Sequence, residues 1–179
     1  MSNFLYVDNS NVWIEGMHIS AVKKGLAANL NEACHANICD YAWKIDFGKL
    51  YKFAGGEKGD VGHAVLYGSR PPENDTLWSV AKAKGFEVKV FDRNYSNKEK
   101  KVDVQIAADI VADSYEIMKA GDEITLVAGD NDYVPVVEKL KARNFAFHVV
   151  FWDQAGSELK KISSKFISLN QYLDFLNVK

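Results

Sequence analysis

Glu123-Ile124-Thr125-Leu126-Val127-Ala128-Gly129-Asp130-Asn131-Asp132-Tyr133-Val134-Pro135 is the stretch on which the fold turns. Its first five residues are apolar or β-branched apart from the leading Glu123, which reads as a buried strand. Ala128-Gly129 then lets the backbone bend. The carboxylates Asp130 and Asp132 follow, and residues 131–143 carry a helical pattern with Pro135 early enough to sit in the first turn. A strand that runs through a glycine straight into a helix is half of a β-α-β unit, and such units imply a parallel sheet.

The same pattern recurs outward from this stretch. Residues 3–8 (NFLYVD) form a short apolar run that ends on a carboxylate. Residues 62–67 (GHAVLY), 86–91 (FEVKVF) and 145–152 (FAFHVVFW) are further strand candidates. Helical patterns occupy 45–54, 73–84, 102–120, 157–162 and 170–176, with Gly85 and Gly121 as stop signals. These elements predict a three-layer α/β domain, with one mainly parallel five-stranded sheet between helices, filling 1–179 as a single domain. Residues 15–43 are the least legible part and are expected to hold one helix and an insertion. Their apolar residues are candidates for a homodimer surface.

Composition narrows the function classes. A chain of 179 residues, 47% hydrophobic and 12% aromatic, can bury roughly 70% of its unfolded surface. The net charge of −2 argues against a general DNA-coating protein, because such binding rests on many Lys and Arg at phosphates. A local basic patch or a bound cation can still bring nucleic acid to a balanced chain. No run approaches the ~18 apolar residues of a membrane span, and the opening MSNFLYVD lacks the features of a signal peptide. The expectation is a cytoplasmic protein with reduced thiols and no membrane partner.

Chemistry in open parallel sheets gathers beyond the carboxyl ends of the strands. Two of those ends are acidic here: Asp8-Asn9-Ser10-Asn11 after the first strand, and Gly129-Asp130-Asn131-Asp132 after the fourth. Asp103 opens the long helix. If the first and fourth strands are neighbours, these acids converge and repel one another unless a divalent cation joins them. Oxygen donors alone suit Mg²⁺ or Mn²⁺ rather than zinc. Taken singly, each Asp is equally well read as a helix cap or a turn former; the coincidence of all of them favours a site.

Three motifs carry a resemblance to a family. Tyr6-Val7-Asp8-Asn9-Ser10-Asn11 resembles the opening of NYN domains, members of the PIN-like nuclease superfamily. Lys98-Glu99-Lys100-Lys101-Val102-Asp103-Val104-Gln105-Ile106-Ala107-Ala108-Asp109-Ile110 is similar to their central helix, and Leu126 through Pro135 to their most recognisable signature. The resemblance implies the strand order 3-2-1-4-5 and metal-dependent endoribonuclease activity. It places catalytic, metal-binding carboxylates at Asp8, Asp103, Asp130 and Asp132, with Asn11 as a polar neighbour. Asp109 matches an acidic position of the helix motif but lies off the face of Asp103. Ala128 departs from the Ser that many relatives carry before Gly-Asp.

Substrate contacts are expected from Arg70, Arg93, Lys98, Lys100 and Lys101 on phosphates, and from Tyr95 or Tyr133 stacking on a base of single-stranded or structured RNA. Two other functions fit parts of the pattern. A haloacid-dehalogenase-like phosphatase needs a second acid two residues after its nucleophilic Asp, where this chain has Ser10. A weakly active or inactive NYN-like module would bind RNA or a protein without cutting. Cys34, His35 and Cys39 invite a zinc reading, with His18 or His63 added, but the spacing lacks a second ligand pair, and the sequence does not favour it.

Overall fold

The apolar run after Ser2 becomes β1 (Asn3–Asp8), the centre of the molecule. Its side chains alternate between the two sheet faces: Leu5 and Val7 enter one core, Phe4 and Tyr6 the other. The computed structural model describes residues 1–70, 75–92 and 100–179. Around β1 stand β2 (Val61–Arg70), β3 (Glu87–Asp92), β4 (Glu123–Val127), β5 (Ala146–Phe151) and β6 (Lys165–Ser168). The order is β3-β2-β1-β4-β5-β6, with every pair parallel. The sheet therefore has six strands instead of the expected five. The added β6 is a four-residue edge strand with Lys165 exposed, too short to announce itself by periodicity.

Helices cover both faces, as a buried parallel sheet requires. One layer holds α1 (Asn9–Lys23), α3 (Phe47–Leu50), α4 (Asp75–Ala83) and α8 (Leu173–Leu176), which supply Val12, Phe47, Leu50, Trp78 and Leu176 to the Leu5–Val7 core. The other holds α5 (Lys100–Glu116), α6 (Val134–Ala142) and α7 (Ser157–Ile162), which supply Ile106, Ile110, Val137, Leu140 and Leu159 to the Phe4–Tyr6 core. The short α2 (Leu30–His35) packs on α1.

The 15–43 stretch holds the rest of α1 and all of α2. It was hard to read because the buried face of α1 carries Gly16, His18, Ser20 and Ala21 instead of large apolar residues. The bulk comes from the opposite side. A Cβ on Gly16 would lie 2.5 Å from the Trp43 ring and 2.8 Å from Trp152, so the small residue admits two indoles that meet edge to face. Ala21, Ala27, Ala33 and Trp43 are buried inside the chain itself, while Leu26 and Tyr41 are exposed; nothing in this stretch supports the homodimer expected of it.

Helix α5 ends at Glu116, four residues before its expected end at Ala120. The Asp122 carboxylate accepts from the backbone N–H groups of Lys119 and Ser2 at 2.8 Å each, and so draws 117–122 off the helix axis toward the start of β1. Among the described residues, no helix is long and apolar enough to cross a membrane.

Candidate metal centre

Asp8 continues the Phe4–Tyr6 side of β1 by simple alternation, so its carboxylate belongs to the layer of α5 and α6. The strand pairs β4 as far as Val7 opposite Val127. Asp8 then caps α1, accepting from the Asn11 N–H at 3.1 Å. It is buried. The capping role and the site role coincide in one residue.

Asp130 is delivered by the turn after β4. That turn must pass close to Phe151: a Cβ on Gly129 would meet the Phe151 ring at 2.2 Å. Asp130 accepts from the Asp132 N–H at 3.0 Å and opens a single 3-10 turn, Asn131–Tyr133, ahead of α6. The loop after β5 braces this turn. Gly156 donates to the Gly129 carbonyl at 2.7 Å, and the Asn131 Oδ1 accepts from the Leu159 N–H at 3.1 Å. A Cβ on Gly156 would strike that same Asn131 oxygen. Sequence reading missed this support, since nothing in Gln154-Ala155-Gly156-Ser157 signals contact with residues 129–131.

Asp103 comes from the first turn of α5. The buried Tyr133 hydroxyl donates to its Oδ1 at 3.2 Å, and Asp8 is hydrogen-bonded to it as well. Asp103, Asp130 and Asp132 each bring an oxygen within 4.8 Å of the others. Burial holds the Asp103 carboxyl above its ordinary value; the charges of Asp130 and Asp132 push the same way, while the bonds to Tyr133 and Asp8 oppose them. Burial likewise raises the Tyr133 phenol, helped by the nearby Asp8 and Asp103 charges, so the phenol keeps its proton and donates.

These residues fit a hard divalent cation. The donors are all oxygens, and the neighbouring Asn11 Oδ1 is buried with no hydrogen-bond partner among the described residues. One cation would satisfy what the protein groups leave unsatisfied.

The remaining expected residues divide clearly. Arg70 ends β2, and Lys100 and Lys101 open α5, so their backbones stand at the same sheet edge. Arg93, Tyr95 and Lys98 lie outside the described residues. Tyr133 is not a base-stacking residue: at 1% exposure its ring is core, and its hydroxyl is spent on Asp103. Asp109 stands apart from the acidic group. It accepts from Tyr67 at 2.7 Å, Lys89 at 2.8 Å and Gln105 at 2.7 Å; burial opposes its ionisation, yet those donors hold its carboxyl below the usual Asp value. Ala128 is fully buried among the Phe4–Tyr6 core residues, so its methyl group is packing. A groove of about 460 Å³ between α1 and α4 begins at Asn9 and Ser10, immediately past Asp8, and is walled by Trp13, Trp78 and Tyr41. No sequence pattern announces it, because its rings come from three distant segments.

A parallel sheet in this strand order, with carboxylates from the ends of β1 and β4 and the start of α5 meeting at its edge, defines a PIN-like nuclease fold with an acidic cluster suited to a divalent cation. The chain belongs to the NYN domain family, whose profile matches residues 9–170. No individual curated protein matches it.

Proposed function

We propose that this protein is a metal-dependent endoribonuclease, hydrolysing phosphodiester bonds of single-stranded or structured cytoplasmic RNA with Mg²⁺ or Mn²⁺ held by Asp8, Asp103, Asp130 and Asp132. The observation that carries this reading is the meeting of Asp103, Asp130 and Asp132 oxygens within 4.8 Å, with Asp8 bonded to Asp103. Carboxylates brought together from three remote stretches of chain repel one another, and a divalent cation would relieve that repulsion.

Bound there, a divalent cation supplies a Lewis acid for the phosphate and a more acidic water. The chain's own residues do the rest. Tyr133 fixes the orientation of Asp103 by its hydrogen bond. The Gly129–Asp132 turn, braced through Asn131 and Gly156, sets Asp130 and Asp132. Burial of Asp8 keeps bulk water from screening its charge on the cation. Arg70, Lys100 and Lys101, at the same edge, meet backbone phosphates on either side of the scissile bond, as Arg93 would. The exposed Tyr41 ring and Trp13 in the adjoining groove offer stacking surfaces for unpaired bases.

A labelled single-stranded RNA incubated with pure protein tests the proposal. Internal cleavage in Mg²⁺ or Mn²⁺ is expected, stopped by a chelator and by Asp8→Asn or Asp130→Asn. RNA that is bound but left whole in both metals would favour a binding module. Cleavage undiminished in both variants would end the metal-centre account.

A further inference from the structure

We infer that Glu15, His18 and Cys34 form a second cation site, of soft character and suited to Zn²⁺, that staples α2 to α1 at a distance from the acidic edge. Glu15 and His18 lie one turn apart on α1, and Cys34 approaches from α2. The Cys34 Sγ is 3.6 Å from His18 Nδ1 and 4.0 Å from Glu15 Oε2, and Glu15 Oε1 is 3.8 Å from His18 Nδ1. One oxygen, one nitrogen and one sulfur thus lie within 4.8 Å of one another. His18 is ten residues along the chain from Asp8, or ~15 Å of helix at 1.5 Å per residue, so the two sites do not share an ion.

The donor set selects the metal. Thiolate and imidazole with a single carboxylate suit zinc and exclude Mg²⁺, which prefers oxygen alone. A thiolate and a carboxylate against a neutral imidazole carry two negative charges, which Zn²⁺ balances; the thiol proton passes to solvent on binding. The surroundings are those of a ligand set. Gln154 donates to Glu15 Oε2 at 2.7 Å and fixes that carboxylate. His18 is only 5% exposed, and its other nitrogen, Nε2, is buried without a hydrogen-bond partner among the described residues. The polar contacts of this buried imidazole are therefore those made through Nδ1 to Cys34 and Glu15.

His35, which the spacing Cys34-His35-Cys39 brings to attention, is excluded: it is exposed, and its Nδ1 is bonded to the Asn31 carbonyl at 2.8 Å. Cys39 hydrogen-bonds weakly to Asn37 at 3.8 Å and stands outside the trio. Solvent completes the coordination.

Titration of chelator-treated, reduced protein with Co²⁺ tests this, because a thiolate bound to Co²⁺ absorbs in the near ultraviolet and an all-oxygen site does not. One equivalent is expected to develop that absorption, and Zn²⁺ to displace it. Cys34→Ser, at an exposed position that leaves the fold intact, is expected to abolish the band, and Asp130→Asn to leave it unchanged. Zn²⁺ is also expected to raise the melting temperature of Asp130→Asn but not of the double variant with Cys34→Ser. A band that survives Cys34→Ser, that Cys39→Ser alone removes, or that never forms, overturns the site.

Discussion

Helix α5 carries two sets of aspartates that face the same sheet and are treated in opposite ways. Asp109 and Asp113, in its middle, are saturated. Tyr67, Lys89 and Gln105 donate to the first, while Tyr6 at 2.6 Å and His63 at 3.4 Å engage the second. Asp103, at its start, meets Asp8, Asp130 and Asp132, and accepts a hydrogen bond from Tyr133. The residue type is the same and the burial is similar. What differs is the supply of donors: the strands beneath the middle of the helix present hydroxyls and amines, whereas the sheet edge presents more acids. A carboxylate with internal donors has its charge met by the fold; one crowded by other carboxylates suits a cation.

The sharpest way to break this comparison is to remove one acid from each set. Asp130→Asn is expected to lower RNA cleavage by roughly 100-fold or more, since even an outer partner of a metal ligand is worth 10- to 100-fold. In metal-free buffer its melting temperature should hold or rise, because a like charge has gone. Asp109→Asn should do the reverse. Loss of the charge leaves Lys89 and the Tyr67 hydroxyl poorly partnered, at a cost of about 1–3 kcal/mol, with cleavage per folded molecule unchanged. Calorimetry and a fluorescent RNA assay on both variants read the two effects; a matched loss of activity in both would erase the distinction.

The pH dependence of stability sharpens the contrast further. The folded value of Asp103 lies above the ordinary 3.8, so in metal-free protein its ionised form is a strain, and its contribution to stability rises as pH falls through that raised value. The folded value of Asp109 lies below 3.8, so its contribution is present above 3.8 and is lost as pH falls through the lower value. Urea unfolding across the acid range should therefore show Asp103→Asn missing a gain and Asp109→Asn missing a loss. The same sign of change in both variants would contradict the assignment.

A smaller effect is expected from the brace. Gly156→Ala forces a methyl group into the Asn131 amide, and the resulting shift of the 129–132 turn should cost about 1–3 kcal/mol and require more Mn²⁺ for half-maximal cleavage. Smallest of all is Tyr133→Phe, which removes one hydrogen bond worth about 0.5–1.5 kcal/mol. It should weaken cation binding while leaving the core packed. Metal titrations of cleavage distinguish the two variants from Asp130→Asn, which extra Mn²⁺ should not restore.

Much of this was legible in the sequence, for identifiable reasons. Strands β1 and β4 are largely apolar, with Asp8 ending the first and Asp130 three residues past the second, so the elements could be read from pattern, while their order came from the family resemblance and the convergence of the acids depended on that order. What could not be read depended on contacts between distant segments. The partners of Asp109 lie on β2, β3 and one turn back on α5, and no spacing rule joins them. Helix α1 conceals its buried face because Gly16 yields its volume to Trp43 and Trp152. Tyr133 looked like a stacking residue because an aromatic beside Asp132 is ambiguous until its ring is seen to be buried. The zinc reading of Cys34, His35 and Cys39 was not favoured on spacing, and Glu15, on the preceding helix beside His18, was not among its candidates.

Whether the acidic edge holds a divalent cation can be seen by diffusing Mn²⁺ into crystals of the protein. An anomalous density peak is expected within coordinating distance of oxygens from Asp103, Asp130 and Asp132, and is expected to be absent from crystals of Asp130→Asn. Those carboxylates well ordered at high Mn²⁺, with no peak between them, would contradict a cation there.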